Sequence, residues 1–224
     1  MATIERKLLN IEVANEIREM IRVGALEKGD KINERELSMS LGVSRTPIRE
    51  ALQRLSIEGL IKIIPHKGAY VSSPRLRDIR EMFEVMSVLE GTCARMATEK
   101  MSDEQFAKLE FLHDQLEEHY KNRDHENYLQ VNHQYHTYVQ ELTGNKILND
   151  IINGIRLKIL LYRSQQLYQP RRFDESIREH RALLEAFRKR NPLEAEILMK
   201  THLMNQCEAL VSLYENDENE KGDD

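Results

Sequence analysis

The stretch ERELSMSLGVSRTPIREALQRLSIEG, residues 34–59, constrains this chain more than any other. Leu37 and Leu41 recur at helical spacing before Gly42, and Ile48, Leu52 and Leu55 do so after it. Gly42 supplies the backbone freedom of a tight turn. Ser44 is placed to cap the helix that follows, and Pro47 is tolerated in its first turn. Leu37, Leu41, Val43, Ile48, Leu52 and Leu55 can then pack as the interior of two short helices joined by that turn, a helix-turn-helix. Turning those six inward leaves Ser44, Arg45, Thr46 and Arg49 on the exposed N-terminal part of the second helix. A helix-turn-helix presents that end to base edges in the major groove. Arginine takes guanine bidentately, while hydroxyls and a helix N-terminus suit phosphates. Arg35, at the start of the first helix of the pair, is placed for the DNA backbone or a groove edge.

The flanks complete a small domain. Leu9, Val13, Ile17, Met20 and Ile21 predict a helix over 5–23, stopped by Gly24, and residues 26–30 read as a turn. Residues 60–64 and 69–71 read as paired strands joined by Pro65-His66-Lys67-Gly68. The tip of that hairpin, His66, Lys67 and Gly68, is basic, and the glycine lets backbone approach a minor groove. Residues 1–73 therefore read as a winged helix-turn-helix that binds duplex DNA. Charge agrees once the chain is divided. Residues 1–73 carry twelve Lys and Arg against ten Asp and Glu, a net +2 on a chain of −5, and the remainder carries 21 against 28. So mild an excess calls for a dimer and well-placed contacts rather than bulk attraction.

Ser72-Ser73-Pro74 breaks the pattern, and residues 74–76 read as a linker. Helices are expected over 77–100, 103–122, 125–143, 146–168, 173–190 and 192–215, with Ser102 and Gln105 spaced as a capping box. The polar, acidic residues 216–224 are expected to be disordered. The fold class is thus mainly α, an N-terminal winged helix-turn-helix followed by a C-terminal all-α helical bundle. No apolar run reaches membrane-spanning length, and the charged, amphipathic start is unlike a signal peptide. Cys93 and Cys207 lie far apart within helical patterns and read as reduced thiols. Together these point to a cytoplasmic protein with no membrane partner.

The run LGVSRTPIREALQRLSIEGLI, followed by a short Gly-containing hairpin, resembles the GntR superfamily of transcription regulators over residues 8–73. Residues 76–214 more loosely resemble the helical effector domain of its FadR-like branch, the FCD domain. The resemblance implies a homodimer on a short palindromic double-stranded operator. It also implies control by a small-molecule effector, an organic acid or related metabolite, held in the helical domain of what reads as a repressor.

Seven of the eight histidines follow residue 73. His113, His119 and His125 fall in charged stretches and read as solvated. Asn132 and His136 are four apart, which puts both on one helix face. His133, three residues before His136, is expected to face another side, with rotation into the site as a ligand the alternative, and His180 and His202 lie on separate later helices. Spacing alone leaves open whether the three meet in one cavity. Metal-bearing FCD domains show D-x-x-x-H, then E-H-R, then H-L. This chain is similar at His136, Glu179-His180-Arg181 and His202-Leu203, and has Asn132 where the family has Asp. The resemblance thus implies a divalent metal on Asn132, His136, His180 and His202, with Zn²⁺ or Ni²⁺ favoured by three imidazoles. Asn in place of Asp leaves the ion at +2, a weaker hold that favours an anionic effector.

Many relatives carry an arginine on the first effector-domain helix that grips a carboxylate. Here that position is Met86, and Arg163 or Arg156 on a later helix is the alternative positive charge at the effector site. A metal-dependent enzyme is the rival class. The chain has no HExxH, no nucleophile motif and no phosphate-cradling glycine loop, and Glu179 is expected to point away from its neighbour His180. The expectation is that the chain is not an enzyme.

Overall fold

A computed structural model describes residues 2–73, 75–163 and 171–220. Pro74 of the expected linker, residues 164–168 of the expected fourth effector-domain helix, and 221–224 lie outside the described residues. The chain divides into two compact units, Met1–Arg75 with Leu157–Leu161, and Leu76–Arg156 with Tyr162–Asp224.

The first unit runs α1 (Ala2–Arg22), β1 (Lys31–Ile32), α2 (Glu34–Ser40), α3 (Arg45–Ile57), β2 (Ile61–Ile64) and β3 (Gly68–Val71). Its antiparallel sheet has the order β1-β3-β2, with Lys31 opposite Tyr70 and Ile61 opposite Val71. Strand β1 falls just after the expected turn and was not foreseen. Two residues carry no periodicity, yet Ile32 is buried and extends the sheet by one strand. Val13, Ile17, Ile48, Leu52, Leu55, Leu60 and Ile61 form the core, with Leu41 and Val43 packed partly against it. Asn33 caps α2, accepting from the Arg35 and Glu36 amides. Gly42 sits at φ +66°, and a Cβ there would meet nothing within 4 Å, so backbone conformation rather than crowding demands glycine. Ser44 occupies the N-cap position of α3 but makes no side-chain cap bond, contrary to the expected role of its hydroxyl.

The second unit contains α4 (Leu76–Lys100), α5 (Asp103–Lys121), α6 (His125–Glu141), α7 (Lys146–Arg163) apart from Leu157–Leu161, α8 (Arg172–Arg188) and α9 (Pro192–Glu220). The Ser102 capping box is formed in both directions. Helix α9 runs through 216–220, so that part of the expected disordered tail is helical. Arg80 pairs with Glu208, and Arg95 with Glu196, so α4 and α9 run antiparallel side by side. Gly91 permits their close approach. A Cβ there would lie 2.7 Å from Lys200 Cγ and 3.2 Å from the Glu196 carbonyl oxygen.

The apolar stripe of α4 is Ile79, Phe83, Met86, Cys93, Ala94 and Ala97, all buried, and Glu90 interrupts it at 1% exposure. On α7 the stripe Leu148, Ile152 and Ile159 is interrupted by buried Arg156. Both cysteines are free and buried, and burial pushes Cys93 up to about 12 and Cys207 to about 11. Such thiols stay protonated and unreactive. No described helix is long and apolar enough to cross a membrane.

Candidate metal centre and nucleic-acid interface

In the first unit, Arg35, Ser44, Arg45, Thr46, Arg49, His66, Lys67 and Gly68 are all exposed. They project because Pro47, Ile48, Ala51, Leu52 and Leu55 commit the opposite side of α3 to the core. Arg49 donates from Nε to Glu34 Oε2 at 2.7 Å, an exposed ion pair that ties the start of α2 to α3. At the hairpin tip His66 adopts φ +62° and the Tyr70 hydroxyl donates to the Lys67 carbonyl at 3.3 Å. The His66 and Lys67 side chains at this turn are exposed.

In the second unit, α6, α8 and α9 bring His136, His180 and His202 together, each 1% exposed or less. One ligand atom from each lies within 4.8 Å of the others. Asn132, one turn before His136, places Oδ1 2.7 Å from His180 Nε2. The four residues that sequence reasoning grouped are therefore gathered in one buried place. His136 Nδ1 faces Glu90 Oε2 at 2.8 Å, and His202 Nδ1 faces Glu179 Oε2 at 2.6 Å. A carboxylate beside Nδ1 fixes the proton there, so each ring donates from Nδ1 and keeps a lone pair on Nε2. Those two Nε2 atoms stand 3.2 Å apart. Gln206 Nε2 lies 2.6 Å from the His202 Nε2 and can donate to it. His180 Nδ1 is buried without a hydrogen-bond partner. Three imidazole nitrogens and an amide oxygen converging in this way form a donor set that fits Zn²⁺ or Ni²⁺.

The surrounding charges are paired. Arg156 Nη2 donates to Glu90 Oε1 at 2.6 Å, and Arg172 grips Glu179 through Nη1 at 2.9 Å and Nη2 at 2.6 Å. Asn205 adds a further bond to Glu179 at 2.8 Å. Desolvation raises the Glu179 carboxyl, but its bonds to His202 and Arg172 prevail and hold it at about 2. Burial drives His136 down to about 4, against the pull of Glu90, and drives His180 well below the ordinary imidazole range. His136 and His180 therefore stay neutral at physiological pH, the state that ligates. A cavity of ≈ 690 Å³ between α8 and α9, lined by Arg172, Glu179, Leu198, Thr201, His202 and Asn205, reaches the outer side of this network.

Glu179 does turn from His180, but toward His202, where it orients that ring. Glu90 was missed, although a carboxylate inside the α4 apolar stripe was a usable signal. Arg156 is engaged with Glu90, and Met86 is wholly buried one turn before it. The Arg163 side chain lies outside the described residues. His113 is buried rather than solvated, because it shares a face with Leu109, Leu112 and Leu116. His119 and His125 are half-buried, and His125 stacks on Phe173 at 4.1 Å. His133 is exposed, with Nδ1 3.4 Å from Arg156 Nη1, and the clustered rings are those of His136, His180 and His202.

The family model of bacterial regulatory proteins of the gntR family matches residues 9–71, and that of the FCD domain matches residues 81–205. YdhC of Bacillus subtilis (strain 168), an uncharacterised HTH-type transcriptional regulator, is 28% identical over 210 residues, 92% of each chain. The HTH-type regulator McbR of Escherichia coli (strain K12) is 25% identical over 182 residues, 80% of this chain and 82% of that one. The solved structure of E. coli McbR/YncC superposes with a TM-score of 0.77 at 23% identity, covering 92% of this chain and 98% of that one. A GntR regulator from Rhodococcus sp. RHA1 gives 0.73 at 21%, covering 91% and 97%. The chain belongs to the GntR family of transcription regulators, with an FCD effector-binding domain after the helix-turn-helix. It is a regulator and not an enzyme.

Proposed function

We propose that the chain is a cytoplasmic, homodimeric repressor whose hold on a palindromic operator is set by an anionic metabolite, an organic acid or its relative, beside a divalent ion. Asn132, His136, His180 and His202 would hold the ion, which would supply a Lewis-acidic anchor for an anion. The observation that carries this reading is the pair of carboxylate-anchored rings, His136 and His202, with Nε2 atoms 3.2 Å apart. Two unprotonated acceptors that close repel each other, and a cation between them removes the conflict. Asn132 brings no charge, so an anion is favoured as the remaining partner. Arg163 is the proposed cation for the effector, since Arg156 is already paired with Glu90.

On the DNA side, Arg45 and Arg49 would read bases, while Arg35, Ser44 and Thr46 would bond phosphates or groove edges. His66, Lys67 and Gly68 would follow the minor groove. The small basic excess of residues 1–73 supports two copies acting together. An effector changes operator affinity only by binding one arrangement of the dimer more tightly than another. The test uses operator selected from a random DNA pool, with binding measured before and after chelation and again on restoring Zn²⁺ or Ni²⁺. The reading expects chelation to change operator affinity or abolish the response to added organic acids. Unchanged binding and response would contradict it.

A further inference from the structure

We propose that the Arg156–Glu90 pair sets the charge of the ion centre, and so couples ion uptake to uptake of an anion. The inference rests on the reading that His136, His180 and His202 hold a divalent ion. The groups bonded to the centre can be summed. Asn132 carries no charge, and an imidazole is neutral in the state that ligates. Glu90 is cancelled by Arg156 at 2.6 Å, and Glu179 by Arg172 at 2.6 Å. Among the described residues these groups sum to zero, in a place where the three rings are 1% exposed or less. An entering divalent ion leaves two positive charges there, and water cannot screen them. A dianion, or two monoanions, restores balance. Because linkage is reciprocal, the anion must tighten the ion as much as the ion tightens the anion.

Arg156 is the adjustable element. Among the described residues, Glu90 Oε1 is its one short bond. Its other contacts are Thr137 Oγ1 at 3.3 Å and His133 Nδ1 at 3.4 Å, and its Nε is buried without a partner. Arg172, by contrast, is bidentate on Glu179. Glu90 therefore does two things at once. One oxygen orients His136, and the other is neutralised by Arg156, which withholds a charge that would favour the ion.

The sign of the effect separates this from a merely structural role. Zn²⁺ affinity is measured by competition with a chromogenic chelator, with and without succinate as the dianion, at matched free Zn²⁺. In the native chain succinate should tighten Zn²⁺ by about tenfold or more. Arg156→Met adds one net negative charge to the centre. It should bind Zn²⁺ alone about tenfold more tightly and show a smaller succinate effect. Asn132→Asp adds the same charge at a ligand, leaves the pair intact and should do the same, which preserves the test if Arg156→Met does not fold. A native chain whose Zn²⁺ affinity ignores succinate overturns the coupling. So does either folded variant that keeps the native affinity and the native succinate effect. A folded native chain that takes up neither Zn²⁺ nor Ni²⁺ overturns the metal reading itself.

Discussion

His136 and His202 present Nε2 atoms to each other at 3.2 Å while their Nδ1 atoms are held by Glu90 at 2.8 Å and Glu179 at 2.6 Å. Each carboxylate is in turn gripped by an arginine. Two Arg–Glu–His chains thus enter one buried centre from different helices, which makes the centre sensitive to loss of any single charge.

Glu90→Gln leaves the Arg156 guanidinium without its carboxylate at a side chain 5% exposed. Breaking a buried pair from one side should cost about 3–5 kcal/mol. Adding Arg156→Met to Glu90→Gln should recover much of that, because both charges are then gone. Denaturant midpoints of the two single variants and the double variant measure the coupling. Additive losses would show that the two side chains act independently.

Chelated protein should lose stability in acid in a defined window. Burial depresses His136 to about 4 from the usual 6.5, so the folded chain keeps the ring neutral while the unfolded chain takes up a proton. Stability from this group is complete above about pH 6.5 and declines as pH falls toward 4, by about 1.4 kcal/mol per unit. His180, depressed by the same cause, acts in the same direction. Unfolding midpoints at pH 7.5 and pH 5 in chelator should differ accordingly. Equal midpoints would mean that the rings are not buried as neutral groups.

Arg45→Ala and Arg49→Ala should each weaken specific operator binding by about 1–3 kcal/mol and relax preference at the contacted base pair. Glu34→Gln releases Arg49 from its 2.7 Å ion pair and should change folded stability by less than about 1 kcal/mol, because the pair is exposed. Binding titrations against the selected operator and single-base variants test the arginines. An unchanged sequence preference in both arginine variants would reassign base reading to other residues.

The helix-turn-helix was legible because Leu37, Ile48, Leu52 and Leu55 are local, periodic and punctuated by Gly42. Strand β1 was not, since two residues, Lys31–Ile32, become a strand only through pairing with Tyr70 and Ala69 across the sheet. The grouping of Asn132, His136, His180 and His202 came from a family pattern and not from periodicity, which does not report how separate helices are rotated toward each other. Glu90 and Arg156 show the opposite case. Each stands in an apolar stripe where a lone charge would be intolerable, and two opposite charges so placed are a sign that they meet. His113 was misread because Asp114 and Glu117 made its surroundings look like surface, while Leu109, Leu112 and Leu116 set its face inward. Residues 216–220 continue α9 because acidic composition indicates solvation and does not by itself end a helix.

Elemental analysis of purified protein decides whether the three histidines hold an ion. About one Zn²⁺ or Ni²⁺ per chain is expected in the native protein, and a small fraction of that in folded His136→Ala. Equal metal content in the two would contradict it.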